Sequence, residues 1–135
     1  MKKLVALVLT LLCVLPLTAC GGKTDMAVVS LDDSALYSEE ELLDAVDVVM
    51  NTFQRGYEDC TLLNVEYDEK FSLERADGWA EQYGTGEVII LLTDFYVGFD
   101  AQAVGPMNPG GVCSDYQWIL SRSGGRWTLQ DRGYG

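Results

Sequence analysis

The stretch Glu87–Val97, EVIILLTDFYV, is the most apolar part of the chain beyond its first twenty residues, and it decides the fold. From Val88 to Leu92, apolar side chains occupy both odd and even positions, which predicts a segment covered on both sides. β-Branched and aromatic residues favour a strand over a helix. The stretch therefore predicts a central β-strand with other elements packed on both of its faces.

A β-hairpin is predicted downstream of this strand. Residues 116–122 (YQWILSR) and 126–132 (RWTLQDR) flank the turn Ser123-Gly124-Gly125, and paired glycines supply the positive φ angles that tight hairpins need. Residues 98–114, which include Pro106 and Pro109, are predicted to form a long loop. Loops of this length are usually functional or mobile, so we expect a partner to bind there or at the adjacent edge of the sheet.

Two helices and a strand are predicted upstream. Ser38 and Glu41 form the sequence pattern of a capping box, and apolar residues then recur at helical spacing, which predicts a helix over 39–55. Alternating side chains predict a strand over 61–67. A weaker amphipathic pattern predicts a shorter helix over 72–83.

This order of elements predicts an α+β domain over residues 37–135. The simplest arrangement packs the N-terminal helix on a four-stranded antiparallel sheet. Cystatin-like and NTF2-like folds have this build, and the comparison is an analogy of fold alone. Residues 20–36 are mostly small or polar and are predicted to be a tether, within which Val28-Val29 can add a short edge strand.

The first twenty residues have the pattern of a bacterial lipoprotein signal. Lys2 and Lys3 precede an apolar run from Leu4 to Leu17, and Leu17-Thr18-Ala19-Cys20 follows the lipobox pattern. The apolar run has fourteen residues, whereas a membrane-spanning helix needs roughly twenty. We therefore expect a signal peptide over 1–19, a lipid on Cys20, and a protein anchored to the extracytoplasmic face of the cell membrane.

The charge of the chain restricts its partners. Removal of residues 1–19 takes away two of nine basic residues and none of 21 acidic residues, so the formal charge changes from −12 to −14. Nucleic-acid binding needs clustered Lys and Arg, so no nucleic-acid partner is expected. The same charge argues against a protein that lies flat on anionic lipid.

The chain has no histidine, which removes the commonest general base and metal ligand. No metal site or cofactor is predicted. Asp94 interrupts the apolar strand and is expected to be partly buried beside Arg122 or Arg126. Such pairing is more often structural than catalytic.

Cys60 and Cys113 are the two thiols that remain after the predicted leader and the lipidated position. In an oxidising compartment they can form a disulfide, worth about 4 kcal/mol for a loop of this length. They can equally be two separate buried thiols that act as small apolar residues. The sequence leaves both alternatives open.

The candidate surface for a ligand or partner comprises Asp94, Tyr96, Asn108 and Trp118. Exposed aromatic residues on a sheet can form a binding platform. The alternative is core packing, which the alternation of Trp118 and Trp127 with polar neighbours favours.

Several motifs resemble an uncharacterised family of small lipoproteins from Gram-positive gut bacteria, over roughly residues 37–135. They are 37–41 (YSEEE), 56–62 (GYEDCTL), 78–83 (GWAEQY), 87–92 (EVIILL) and 124–127 (GGRW). Related domains are attached to membrane-embedded metallopeptidases of the antibiotic-sensing type. The resemblance implies an extracytoplasmic sensing role, assigns no catalytic residue and carries no disulfide.

These observations predict a non-catalytic module that binds a ligand or an envelope protein at the membrane surface. One alternative is a small carboxylate-dependent hydrolase that acts on cell-wall material. Another is an inhibitor or immunity factor.

Overall fold

The computed structural model describes residues 21–84, 86–101 and 108–134. The predicted signal peptide and Cys20 lie outside these residues, as does the part of the predicted loop over 102–107. The fold is α+β, with two helices and one five-stranded sheet. Its elements are β1 (Val28–Leu31), α1 (Glu39–Gly56), β2 (Cys60–Tyr67), α2 (Glu69–Tyr83), β3 (Glu87–Val97), β4 (Val112–Arg122) and β5 (Trp127–Gly133).

The sheet differs from the predicted four antiparallel strands because β1 is added at its edge. The strand order is β1-β2-β3-β4-β5, and β1 runs parallel to β2, with Val28 opposite Asn64 and Leu31 opposite Tyr67. The cause is the connection: α1 carries the chain back along the sheet between β1 and β2, so the two strands run in the same direction. The remaining pairs are antiparallel, as predicted.

The predicted tether over 20–36 also needs correction. The amide of Gly22 donates to the carbonyl of Gln54 at 3.1 Å, and the amide of Lys23 donates to the carbonyl of Cys60 at 2.9 Å. Residues 28–31 then form β1. Much of this segment therefore belongs to the folded domain, because its backbone groups are paired with α1 and β2.

Helix α1 covers one face of the sheet. The predicted capping box is present: the Ser38 hydroxyl accepts from the amide of Glu41 at 3.2 Å, and the Glu41 carboxylate accepts from the amide of Ser38 at 3.1 Å. The apolar stripe of α1 packs on a core rich in aromatic rings. Its largest fully buried members are Trp118, Tyr57, Tyr67, Phe53 and Phe95.

Helix α2 covers part of the opposite face. Val88, Ile90 and Ile119 form a second, smaller cluster with apolar side chains of α2. Both faces of β3 are therefore covered, as its sequence predicts. The helix begins before the predicted position because Asp68 caps it, accepting from the amide of Phe71 at 3.0 Å.

The strands and α1 give the molecule two ends. At the Gly22 end lie Gly22, the end of α1, the start of β2, the end of β3 and the start of β4. At the Tyr37 end lie the end of β1, residues 32–38 and the start of α1. Helix α1 has 18 residues, so about 27 Å of helix joins the two ends.

Candidate functional site

The four residues of the predicted partner surface do not form one surface. Trp118 is fully buried on the α1 face, where its indole N–H donates to the Thr93 hydroxyl at 2.8 Å. It is therefore a core residue, and its prediction as a contact residue was wrong. Tyr96 is half-buried on β3, and Asn108 is exposed, with its carbonyl accepting from the amide of Gly111 at 3.1 Å.

Asp94 is paired with different groups from those predicted. One carboxylate oxygen accepts from the side-chain amide of Asn64 at 2.9 Å, and the other accepts from the backbone amide of Asp115 at 2.9 Å. The Asn64 carbonyl oxygen accepts in turn from the Asp94 amide at 3.3 Å. The ladders of β3 with β2 and with β4 both shift register beside Asp94, so its carboxylate joins three strands where regular pairing is interrupted.

Arg122, one of the partners predicted for Asp94, pairs with other acids. Its guanidinium contacts Glu41 at 2.5 Å and Glu87 at 2.7 Å. These contacts raise the pKa of Arg122, and the capping hydrogen bond from the Ser38 amide together with Arg122 lowers the pKa of Glu41. Arg122 therefore ties the start of α1 to β3 and β4.

Cys60 and Cys113 are both free and buried. They lie on β2 and β4 with β3 between them, so roughly two strand spacings, about 10 Å, separate their backbones. A disulfide needs Cα atoms closer than about 7 Å, so this separation argues against the bridge that the sequence left open. Burial raises the pKa of both thiols, and Cys113 lies 2.8 Å from the Tyr134 hydroxyl. The structure therefore corresponds to the alternative of two separate thiols.

A concavity lies at the Tyr37 end, between β1 and the first turns of α1. We call it the acidic groove, and its volume is about 560 Å³. Apolar side chains of β1 and α1 line one part of it and acids line another. The lining residues are Val29, Leu31, Asp32, Asp33, Ser34, Tyr37, Ser38, Glu39, Leu42 and Leu43.

The groove wall formed by residues 32–37 is held by the start of α2. The Glu69 carboxylate accepts hydrogen bonds from the Ser34 hydroxyl, from the Tyr67 hydroxyl at 3.4 Å and from the Ala35 amide at 3.5 Å. Burial, followed by the charge of Glu69, raises the pKa of Tyr67 to about 12. The Asp32 carboxylate accepts from the Glu69 amide at 3.0 Å. These contacts fix the shape of the wall.

The groove carries negative charge without a compensating base in its lining. Asp33 and Glu39 are exposed, and neither carboxylate makes a hydrogen bond or ion pair within residues 21–84, 86–101 and 108–134. Both are therefore available to a positively charged group. The apolar part, which includes Val29 and Leu43 with exposed fractions of 36% and 39%, can receive aliphatic side chains.

Strand β1 forms one side of the groove and is the edge strand of the sheet. It pairs with β2 on one side only among the described residues. An edge strand presents unpaired backbone donors and acceptors to which another strand can bind. The local sequence does not select this groove, because its one signal is the apolar pair Val28-Val29 before the first helix.

Within the described part of the chain, no group of three or more Asp, Glu or Cys residues is placed to hold a metal ion. No helix in that part is long and apolar enough to cross a membrane. Neither a protein-family model, nor a curated protein, nor a solved structure matches the chain. The resemblance to gut-bacterial lipoproteins therefore stays a prediction.

Proposed function

We propose that this protein is a lipid-anchored, extracytoplasmic module that binds an extended peptide segment with basic and apolar side chains. The segment lies in the acidic groove and pairs with β1. The partner carrying it is a protein or peptide of the cell envelope. The proposal joins two independent supports, the geometry of the groove and the pattern of the first twenty residues.

The single observation that carries the binding role is an open strand edge beside a groove that can receive the side chains of an added strand. Addition of a peptide strand to a sheet edge obtains affinity from main-chain hydrogen bonds and specificity from pockets for alternate side chains. Strand β1 supplies the edge over Val28–Leu31, about 13 Å of backbone. The groove supplies an apolar lining at Val29, Leu31, Leu42 and Leu43.

Charge selects the chemistry of the ligand. Asp32, Asp33 and Glu39 line the groove, and the chain as a whole is strongly acidic. Complementary charge accelerates encounter and disfavours partners of the same sign. An acidic segment would be repelled, whereas Lys or Arg side chains placed near Asp33 and Glu39 would form exposed ion pairs.

The location of the protein is supported by its N-terminal pattern. Lys2 and Lys3, the short apolar run and the small residues before Cys20 are those of a processed lipoprotein. Several acyl chains hold a protein on a membrane firmly, whereas one chain binds only marginally. Helix α1 on a largely antiparallel sheet supports the cystatin-like or NTF2-like analogy, and the parallel strand β1 departs from it.

A peptide titration tests the binding role. The ligand is a short peptide of alternating Lys and Val, titrated calorimetrically into the purified protein at low ionic strength. Exposed ion pairs contribute about 0.2–1 kcal/mol each, so the double substitution of Asp33→Asn and Glu39→Gln should weaken binding about twofold to thirtyfold. The matched control is Glu40→Gln, which changes an exposed acid in the same helical turn outside the groove lining.

Two further ligands separate strand pairing from simple charge attraction. A peptide of the same sequence with N-methylated alternate amides keeps its charge but cannot donate to an edge strand, so it should bind at least tenfold more weakly. A peptide of alternating Glu and Val should not bind. Equal binding by the three peptides, or equal weakening by Glu40→Gln and by the groove substitutions, would refute the proposal.

A further inference from the structure

Three large apolar side chains are exposed at the Gly22 end of the molecule, where the Tyr134 hydroxyl lies beside Cys113 of β4. Phe99 is 78% exposed, Val112 is 58% exposed and Tyr134 is 57% exposed. Single exposed apolar residues are normal on protein surfaces, whereas a group of them on one side marks a contact with a membrane or another protein.

Backbone hydrogen bonds connect this group to the point where the described chain begins. The amide of Lys23 donates to the carbonyl of Cys60, and the amide of Gly98 donates to the carbonyl of Asp59 at 2.8 Å. Asp59 precedes Cys60, and Gly98 precedes Phe99. Two backbone hydrogen bonds therefore bring Phe99 close to Lys23. The predicted lipid attachment at Cys20 is three residues before Lys23.

No free tether lies between Cys20 and the domain. Gly21 has a φ of +110°, and a Cβ atom there would overlap the carbonyl oxygen of Gln54. A Cβ atom at Gly22 would lie 2.6 Å from Cδ1 of Phe53. Both positions therefore need glycine for a close approach to the end of α1, and this packing fixes the position of Gly21, the residue that follows Cys20.

We infer that the Gly22 end rests on the lipid bilayer, with Phe99, Val112 and Tyr134 in the interfacial layer. The inference rests on the proposed lipid anchor and adds the orientation of the domain. Aromatic side chains are favoured at the level of lipid headgroups, where one part of the ring is apolar and the surroundings are wet. The occupant is a lipid surface because the acylated chain would enter the membrane beside these residues.

The contact is apolar rather than electrostatic. Glu58, Asp59 and Asp100 lie at the same end, and carboxylates are repelled by anionic lipid. We therefore expect the contact to form in vesicles of neutral phosphatidylcholine and to persist at high salt. In this orientation the acidic groove, at the opposite end of α1, faces away from the membrane and remains open to its ligand.

Site-specific quenching in vesicles tests the orientation. The acylated full-length protein, with Asp100→Cys or Leu36→Cys, is labelled with a fluorescent maleimide and reconstituted into phosphatidylcholine vesicles with lipids brominated near the headgroup. Native Cys60 and Cys113 are 0% and 3% exposed, so labelling is selective for the introduced thiol. Leu36 is 60% exposed at the Tyr37 end and serves as the matched position.

The expected result is at least twofold stronger quenching at position 100 than at position 36, and a loss of about half of the difference when Phe99→Ser is added. Equal quenching at both positions, or no quenching at position 100 in vesicle-bound protein, overturns the inference. The anchor is checked separately by intact mass and vesicle flotation, and the groove by the peptide titration. Failure of the orientation is therefore distinguishable from failure of the proposed function.

Discussion

The two ends of the molecule differ in which groups they leave exposed. At the Tyr37 end the exposed groups that line the groove include carboxylates, and the backbone edge of β1 is open. At the Gly22 end the exposed groups include large apolar side chains, and the backbone of Gly22 and Lys23 is hydrogen-bonded to α1 and β2. The Tyr37 end therefore offers an open strand edge beside acidic side chains, and the Gly22 end offers exposed aromatic rings beside a fastened backbone.

Under the proposed function, this difference would let one small domain bind a peptide at one end and a membrane at the other. Helix α1 spans both ends, and each end is held by contacts with it: Gly22 packs on Phe53, whereas Glu41 binds Arg122. The packing that fixes the position of Gly22 is therefore separate from the packing that shapes the groove. Substitutions at one end should leave the function of the other intact.

The largest expected effect is the loss of stability when the core beneath the Gly22 end is disrupted. Phe53 is fully buried beneath Gly22 and contacts the rings of Tyr57 and Phe95. Phe53→Ala should lower the free energy of unfolding by about 3–5 kcal/mol, because it leaves a cavity and removes ring contacts. Urea unfolding of the purified protein measures this. Leu36→Ala, at the other end and exposed, should change it by less than about 0.5 kcal/mol.

A smaller loss of stability is expected when the close approach of Gly22 to α1 is disturbed. Gly22→Ala places a methyl group against the Phe53 ring and should cost about 1–3 kcal/mol of unfolding free energy. The matched control is Gly78→Ala on α2, where a Cβ atom meets nothing within 4 Å. That control should stabilise the protein by about 0.5–1 kcal/mol, because alanine is the better helix former. Changes of the same sign in both variants would contradict the close approach of Gly22.

A third substitution should weaken the Tyr37 end and leave the Gly22 end unchanged. Glu69→Ala leaves Ser34 and Tyr67 without their acceptor and should lower the free energy of unfolding by about 1–2 kcal/mol. Binding of the Lys-Val peptide should also weaken, because the groove wall loses its support. Vesicle quenching at position 100 should stay at the wild-type level. A loss of quenching without a loss of peptide binding would reverse the assignment of the two ends.

The smallest expected effect is the pH dependence of stability that comes from two carboxylates, Glu41 and Glu66. Hydrogen bonds from Ser38 and Arg122 lower the pKa of Glu41 below 4.5, so its stabilising contribution is present above pH 4.5 and is lost as the pH falls through the lowered value. Burial and neighbouring acids raise the pKa of Glu66, so protonation of Glu66 at acidic pH favours the folded state.

Urea titrations at neutral pH and near pH 4 compare the two carboxylates. Glu41→Gln should destabilise the protein at neutral pH, and Glu66→Gln should stabilise it slightly. Both differences from wild type should shrink at acidic pH. If both substitutions changed the free energy of unfolding in the same direction at neutral pH, the opposite pKa shifts of Glu41 and Glu66 would be contradicted.

Local sequence signals predicted the elements whose determinants are local. The capping box at Ser38 and Glu41 fixes the start of α1, and Gly124 and Gly125 adopt the positive φ angles required by the hairpin. The apolar residues on both parities of β3 predicted its two covered faces, which the two core clusters confirm. In each case the information lies within a few neighbouring residues.

Features that depend on distant pairings were not predictable in the same way. Strand β1 has only four residues and gains its place from parallel pairing with β2, across the whole of α1. The partners of Asp94 come from two register shifts, one beside Asn64 of β2 and one beside Asp115 of β4, which has a φ of +56°. The acidic groove combines β1, residues 32–34 and α1, so its composition follows only from the assembled fold.

Amide hydrogen exchange of the acylated protein on phosphatidylcholine vesicles, with and without the Lys-Val peptide, tests the two-ended account most directly. Membrane binding should slow exchange at residues 98–101, and subsequent addition of peptide should slow exchange within Val28–Leu31. Protection of Val28–Leu31 by the membrane, or protection by the peptide confined to the Gly22 end, would contradict the account.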